Sequence, residues 1–450
     1  MESKRDSIIL CPTRNLVTSK SSLGYFGVDG KVTKKDIKSY LNENNSYKKI
    51  IATYDALPKL MDSIPNYEDY FLLIDEYHLL FNDYSFRGEC IKFILHNFRK
   101  FKNWCFMTAT PLKKEFILEE LKDIPQINYE WENSVPVNIH IDDTYYVQKS
   151  LLKYIENFKD RNLHIFLNSI STIYNITKNI DESLYRVVCS ESSKTKIANF
   201  SKVTSPVRKL NFYTSCAFEG CDIYDPDGIC IIVCDTQIAT TVLDIATKIR
   251  QVCGRLRDSK YKNECYLILN TSKHRYANTS KQEFESQIEE SERLGKLKHS
   301  KLHDSKLTED EKNMELRLFS KEKYATLYLN KYQNDIYYDE NLKKMDIYNY
   351  NLISEIYQTS ISVIGEFEKF EINTTEENKE LDNVPSWILK HLTKNEYTYQ
   401  ELETLFIPIF EQHGLKWNKK TSIKYYFPPF IKKQKVKNHI KSLYYIFNIF

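Results

Sequence analysis

Nine short apolar runs, each ending in polar residues and followed by a stretch of helical character, fill the first 270 residues. They are SIIL (7–10), KKIIAT (48–53), FLLID (71–75), WCFMTAT (104–110), LHIFLNS (163–169), YRVVCS (185–190), KLNFYTS (209–215), GICIIVCD (228–235) and ECYLILN (264–270). Near-continuous hydrophobic strands of this kind are buried on both faces, which argues for parallel sheets covered by helices. The chain has 450 residues, too many for one ordinary core, so an α/β fold with more than one domain is expected. Chemistry in such folds gathers at the carboxyl ends of the strands. Here those ends carry CPTR, ATYD, DEYH, TATP, LNS, TSCAFEGCD and CDT.

The segment VPVNIHIDDTYYV (135–147) reads as the passage between two sheets, which divides the α/β part into 1–134 and 135–275. Residues 276–323 change character. Nearly half of 280–323 is charged, with both signs mixed, as in an exposed helical linker laced with i,i+4 pairs. His299 and His303 share a face of it, and two solvated histidines are the expectation there. Residues 324–450 read as a mainly helical accessory region, with a small basic unit from 384. Gly414 to Phe450 holds no Asp or Glu, and its lysines are interleaved with Trp417, Tyr425, Tyr426, Phe427 and Phe430. Lysines on phosphates and aromatics under bases would make a nucleic-acid surface; a basic domain with an aromatic core is the equal alternative.

With 42% hydrophobic and 28% charged residues the chain reads as a soluble globular protein. No apolar run approaches the roughly 20 residues of a membrane span. The start MESKRDSIILCPTR lacks a secretory signal, so a cytoplasmic protein with no membrane partner is expected. The net charge of +3 confines any nucleic-acid surface to a local patch. Ten cysteines, all between Cys11 and Cys265, include no CxxC pair and read as reduced core residues rather than a zinc site.

DEYH (75–78) carries the most chemistry. A carboxylate at a strand end beside a phosphate, here Asp75, holds magnesium directly or through water, and Glu76 can orient an attacking water. Alone, such an acidic pair is more often structural. It is followed by TATP, where Thr108 and Thr110 offer short hydroxyls for relaying contacts, and by QVCGRLRD (251–258), where Arg255 can steady a transferring phosphoryl group and Gly254 lets the backbone approach.

The ordered set resembles the superfamily 2 helicases and translocases of the DExH type. In that family two RecA-like domains flank a nucleotide cleft and both touch a nucleic-acid strand. LCPTRNL looks like motif Ia, IIATYDAL like Ib, DEYH like II, TATP like III, HIFLNS like IV, TSCAFEGCDI like V and QVCGRLR like VI, together spanning residues 10–258. The resemblance implies catalytic roles for Asp75, Glu76, His78 and Arg255, with magnesium on Asp75. It implies nucleotide contacts from Gly220, Asp222, Gln251 and Arg257, with Glu219 in the same cleft wall. Coupling falls to His78, Thr108 and Thr110, and nucleic-acid contacts to Thr13, Arg14, Thr53, Asn168, Ser169 and Thr214. ATP and Mg2+ are the implied cofactors, and single-stranded or duplex nucleic acid the implied partner. Asp258 stands where the family often has a further arginine, and Arg257 is one residue early.

The family's phosphate loop, GxxxxGK[ST], lies on a strand ahead of motif Ia, and no such pattern occurs in this sequence. GYFGVDGKV (24–32) has the wrong spacing and reads as a surface turn. Without that strand, the strand of motif III would carry an unpaired edge. The expected function is an ATP-dependent helicase or translocase core. The compositional bias toward Lys, Asn, Ile and Tyr, with only 10 glycines, fits an A+T-rich phage or mobile element and its replication or recombination. Three explanations of the missing loop stay open: a fragment, a split motor whose other chain supplies it, or a non-catalytic nucleic-acid-binding relative.

Overall fold

The computed structural model describes residues 4–129, 137–144, 146–271, 276, 279–304, 308–317, 324–333, 335–376, 397–412 and 417. The chain forms two compact units, Met1–Glu377 and Asn378–Phe450.

The first unit contains two all-parallel sheets in tandem, the α/β architecture of two RecA-like domains. β1 (Ser7–Cys11), β2 (Phe26–Val28), β3 (Lys49–Thr53), β4 (Phe71–Asp75) and β5 (Asn103–Met107) form the first, in the order β2-β3-β1-β4-β5. β6 (Asn138–Asp143), β7 (Asn162–Phe166), β8 (Tyr185–Val188), β9 (Leu210–Tyr213), β10 (Gly228–Cys234) and β11 (Glu264–Leu269) belong to the second. The short hairpin β12 (Leu329–Tyr332) and β13 (Asp335–Tyr338) stands apart, and β14 (Asn373–Glu376) returns to the second sheet, giving the order β14-β6-β11-β10-β7-β9-β8.

Strand position explains strand composition. Every residue of β10, GICIIVC, is buried, because β11 and β7 flank it and helices cover both faces. β5 pairs with β4 on one side and with no described strand on the other. Its Asn103, Cys105 and Met107 are exposed, with Met107 at 49%. β2 lies within GYFGVDGKV, so part of that stretch is an edge strand, and the turn its glycines suggest follows it, with Val32 N–H donating to the Asp29 carbonyl at 3.3 Å. The chain leaves it through a helix, Lys34–Leu41, capped by a reciprocal Thr33–Asp36 box.

The described residues between 281 and 376 clamp both sheets. Helix Lys281–Leu302 turns Phe284 and Ile288 into the core of the first sheet and its charged residues outward, where Arg293 pairs with Glu290. At Gly295 an added Cβ would lie 2.0 Å from the Leu327 carbonyl oxygen, so only glycine allows this approach. His299 and His303, on this helix and its cap, lie with ring centroids 4.2 Å apart and tilted by 35°, and His303 Nε2 meets Asp335 at 2.9 Å. Helix Glu340–Asn351 packs on the first sheet: Asp339, at its cap, accepts from Tyr84 at 2.8 Å, and Lys344 donates to the Ile117 carbonyl at 2.8 Å. It continues as a π-helical turn, Leu352–Ile356, whose Leu352, Ile353 and Ile356 enter the core of the second sheet, and Tyr357 donates to the Leu243 carbonyl at 2.6 Å. The segment read as accessory is thus also structural, and through β14 it supplies a strand. No described helix is long and apolar enough to cross a membrane.

Of the second unit, helix Tyr399–Gln412 is described. Thr398 caps it reciprocally with Glu401, its Leu402, Phe406, Ile409 and Phe410 are buried, and Phe410 meets Trp417 edge-on at 5.1 Å. Apart from Trp417, the lysine- and aromatic-rich tail read as a nucleic-acid surface lies outside the described residues.

Candidate active site

The carboxyl end of β4 delivers Asp75 and Glu76 into a cleft closed on the far side by the helical turn Ile245–Ile249 and helix Arg250–Cys253. Glu76 has φ +53°, a left-handed backbone that costs a non-glycine residue roughly 1 kcal/mol. The buried Tyr54 hydroxyl contacts the carbonyls of both Asp75 and Glu76, the latter at 3.1 Å, and braces this turn.

Glu76 Oε2 is the hub. Thr108 Oγ1 donates to it at 3.1 Å and Gln251 Nε2 at 2.9 Å. Gln251 also donates to Thr110 Oγ1 at 3.2 Å, and Arg255 Nη2 donates to Gln251 Oε1 at 3.2 Å, which fixes the amide's orientation. Thr108 Oγ1 accepts from the Thr110 backbone N–H at 3.1 Å and lies 2.8 Å from His78 Nδ1. Since the hydroxyl hydrogen goes to Glu76, the imidazole carries its proton on Nδ1. Burial, then the charge of Lys248, lowers His78 to about 3, so the ring is neutral. Five residues singled out from sequence, Glu76, His78, Thr108, Thr110 and Gln251, form one hydrogen-bonded network across the two domains, and Arg255 joins it from behind.

Around this hub the electrostatics are tense. Burial and the adjacent Glu76 raise Asp75 to about 6. Burial raises Glu219 to about 7, against the opposing charges of Lys248 and Arg255. Burial lowers Arg255, and Glu219 and Glu76 act in the other direction. His78 Nε2, Glu219 Oε1 and Arg255 Nε are buried with no hydrogen-bond partner among the described residues. Orphans converging on a domain seam are the kind of groups a polar ligand satisfies.

Gly220, with φ +71°, sits where the domains nearly touch: an added Cβ would lie 2.6 Å from Leu16 Cδ1. Asn15 Nδ2 donates to the Cys216 carbonyl at 3.2 Å in the same seam. Asp222 and Arg257 stand apart from the hub. They pair with each other at 2.6 Å, each about half exposed.

The residues read as nucleic-acid contacts lie at the same ends of the sheets, with their polar groups partly engaged. Thr13 caps helix Arg14–Ser21, Arg14 pairs with Asp29 at 3.6 Å, and Thr53 is buried beside Cys11. Asn168 braces two loops, accepting from Ser215 N–H at 3.0 Å and donating to the Thr240 carbonyl at 2.8 Å. Ser169 caps helix Ile170–Thr177, and Thr214 donates to the Val188 carbonyl at 3.3 Å. Asn168, Ser169 and Thr214 together wall an open groove of about 670 Å³.

Sequence reading passed over Lys248, Asp83, Tyr54 and Asn15. Lys248 acts on His78, Asp83 and Glu219 at once. It sits in the π-helical turn Ile245–Ile249, just ahead of helix Arg250–Cys253. Tyr54 and Asn15 act through tertiary approach and leave no local pattern.

Fold and site together define a tandem α/β protein with a polar, charge-lined cleft between two parallel sheets. No family model matches the chain, and no curated protein matches it. Among solved structures, it is similar to S. cerevisiae Dbp5 bound to RNA and ADP BeF3, at 13% identity over 60% of this chain and 72% of that one, with a TM-score of 0.42. The ATP-dependent Type ISP restriction-modification enzyme LlaBIII bound to DNA matches at 13% identity over 60% of this chain and 24% of that one, TM-score 0.38. A hypothetical ATP-dependent RNA helicase from Sulfolobus tokodaii matches at 18% identity over 59% and 80%, TM-score 0.23. These likenesses are distant, and the architecture stands on the strand order itself.

Proposed function

We propose that the chain is the core of a nucleic-acid-dependent nucleoside triphosphatase, working as a helicase or translocase. The observation that carries this reading is the Gln251–Glu76 bond, which ties a carboxylate of one domain to a helix of the other. A ligand that displaces or tightens it changes how the domains meet. Asp75 and Glu76 are hard oxygen donors suited to Mg2+, and Arg255 suits a phosphoryl oxygen. Bound ATP with magnesium would supply a phosphoryl group whose transfer to water releases free energy. Glu76, held by Thr108 and Gln251, would orient that water. Thr110 would pass the state of the cleft to the strand-contacting ends, where Thr13, Arg14 and the groove around Asn168, Ser169 and Thr214 would face a nucleic acid, with Thr53 buried behind them. Gly220 and Glu219 would line the cleft from the second domain, with Asp222 and Arg257 at its rim.

The phosphate-cradling loop belongs, on this reading, to polypeptide outside these 450 residues. β5 pairs with no described strand on its other side, and a strand added there would bring a loop to the end of β4. A second reading, a nucleic-acid-binding protein without hydrolysis, draws on the same groove and on the basic tail. Single-strand binding that weakens with salt and changes with ATP and magnesium supports the motor. Salt-sensitive binding indifferent to nucleotide supports the second reading. Replication or recombination of a phage or other mobile element is the proposed setting, on compositional bias alone.

A further inference from the structure

The groove on the second domain holds one aromatic side chain, and no motif accounts for it. Helix Ile170–Thr177 buries Thr172, Ile173, Ile176 and Thr177 against the sheet and leaves Ser171, Tyr174 and Asn175 outside. Tyr174 lines the groove and is 53% exposed. A lone exposed tyrosine is unremarkable on a protein surface. This one forms a wall of a concave site whose other lining is mostly hydroxyls and amides, with Lys196, Cys216 and two isoleucines, and no carboxylate among the lining residues. Lys196 is exposed and has no ion-pair partner among the described residues. Asn168, Ser169 and Thr214 spend their hydrogen bonds on holding the wall in shape. The groups left exposed for a ligand include the Lys196 ammonium, Ser215, Asn175 and the face of the one aromatic ring in the lining.

That combination has a chemical meaning. A cation and hydroxyls suit a sugar–phosphate chain, and a ring face suits a flat base. In a duplex each base already stacks on both sides, so the ring has nothing to receive. In a single strand a base turns out and stacks at little entropic cost, since tyrosine has few rotatable bonds. We infer that Tyr174 is the platform on which one unpaired base stacks, and that it makes this groove selective for single-stranded over duplex nucleic acid. The inference rests on the reading that the chain binds nucleic acid and names the form it binds.

The test is binding of the full 1–450 chain to a fluorescein-labelled thymidine homopolymer, to the same strand annealed to its complement, and to an abasic strand of equal length. The wild type binds the intact strand most tightly. Tyr174→Ala weakens that binding about tenfold or more and leaves duplex binding unchanged. Tyr174→Phe keeps it within about twofold, because the ring and not the hydroxyl stacks. The wild type holds the abasic strand as weakly as Tyr174→Ala holds the intact one, a readout that needs no variant to fold. Equal binding of intact and abasic strands, or of single strand and duplex, by the wild type overturns the inference and leaves the broader reading standing. Failure of the wild type to bind any of the three at low salt overturns both.

Discussion

Gln251 reaches from the second domain and donates its amide to Glu76 at the end of β4, 2.9 Å away. Neither partner is free to choose another arrangement. Arg255 fixes the amide from behind, and Tyr54 braces the left-handed turn that aims the carboxylate. Two sheets that fold around separate cores therefore meet through a bond between the residue that would orient water and a helix that would sense the phosphate.

Gln251→Leu keeps the side chain's bulk and removes the bond. A hydrogen bond to a charged group contributes about 1.5–3 kcal/mol. The variant is expected to lose stability of that order in urea unfolding. An unchanged midpoint would mean that the bond contributes nothing to the way the domains meet.

Gly220→Ala places a methyl group 2.6 Å from Leu16 Cδ1 on a left-handed backbone. The backbone part costs roughly 1–2 kcal/mol, and the collision adds to it. Leu16→Ala in the same chain relieves the collision and leaves the backbone part. A double-mutant cycle by denaturant unfolding should give a coupling of about 0.5–3 kcal/mol, favouring the pair. Additive single effects would place Gly220 away from Leu16 in solution.

His164 gives a pH prediction. Its ring is fully buried between Tyr213, whose hydroxyl is 2.9 Å from Nδ1, and Asp225, 2.9 Å from Nε2. Arg186 donates to the Tyr213 oxygen at 2.9 Å, so the tyrosine's hydrogen goes to Nδ1 and Nε2–H goes to Asp225. Burial lowers the ring below its ordinary 6.5, only partly offset by Asp225. A lowered histidine binds fewer protons folded than unfolded, so its contribution is present above pH 6.5 and lost as pH falls below it. Unfolding free energy measured from pH 8 down to 5 should decline more steeply in the wild type than in His164→Gln. Equal slopes would contradict the neutral buried ring.

Each of the nine apolar runs became a strand, because length, apolar content and polar ends together specify a buried parallel strand. Besides the β12–β13 hairpin, the strands that escaped notice are those made by their neighbours. β2 has three residues and a glycine, β6 alternates polar residues in NIHIDD, and β14, NTTE, holds no apolar side chain at all. β14 exists because β6 offers an edge and because Thr375 reaches His140 Nδ1 at 2.8 Å. The cleft was legible in the same uneven way. Glu76, His78, Thr108, Thr110, Gln251 and Arg255 stood out by motif, whereas Tyr54, Asn15 and Lys248 work through contacts that only folding creates.

The most direct test of the motor reading is magnesium-dependent ATP hydrolysis by the chain bearing an added strand and phosphate loop designed to pair with β5. It is run with and without a single strand, beside the same protein carrying Glu76→Gln. The account predicts hydrolysis that the strand stimulates and that Glu76→Gln reduces by at least about a hundredfold, the loss expected when a water-orienting group is removed. A folded fusion that binds the strand and hydrolyses nothing, or one whose hydrolysis survives Glu76→Gln, would contradict it.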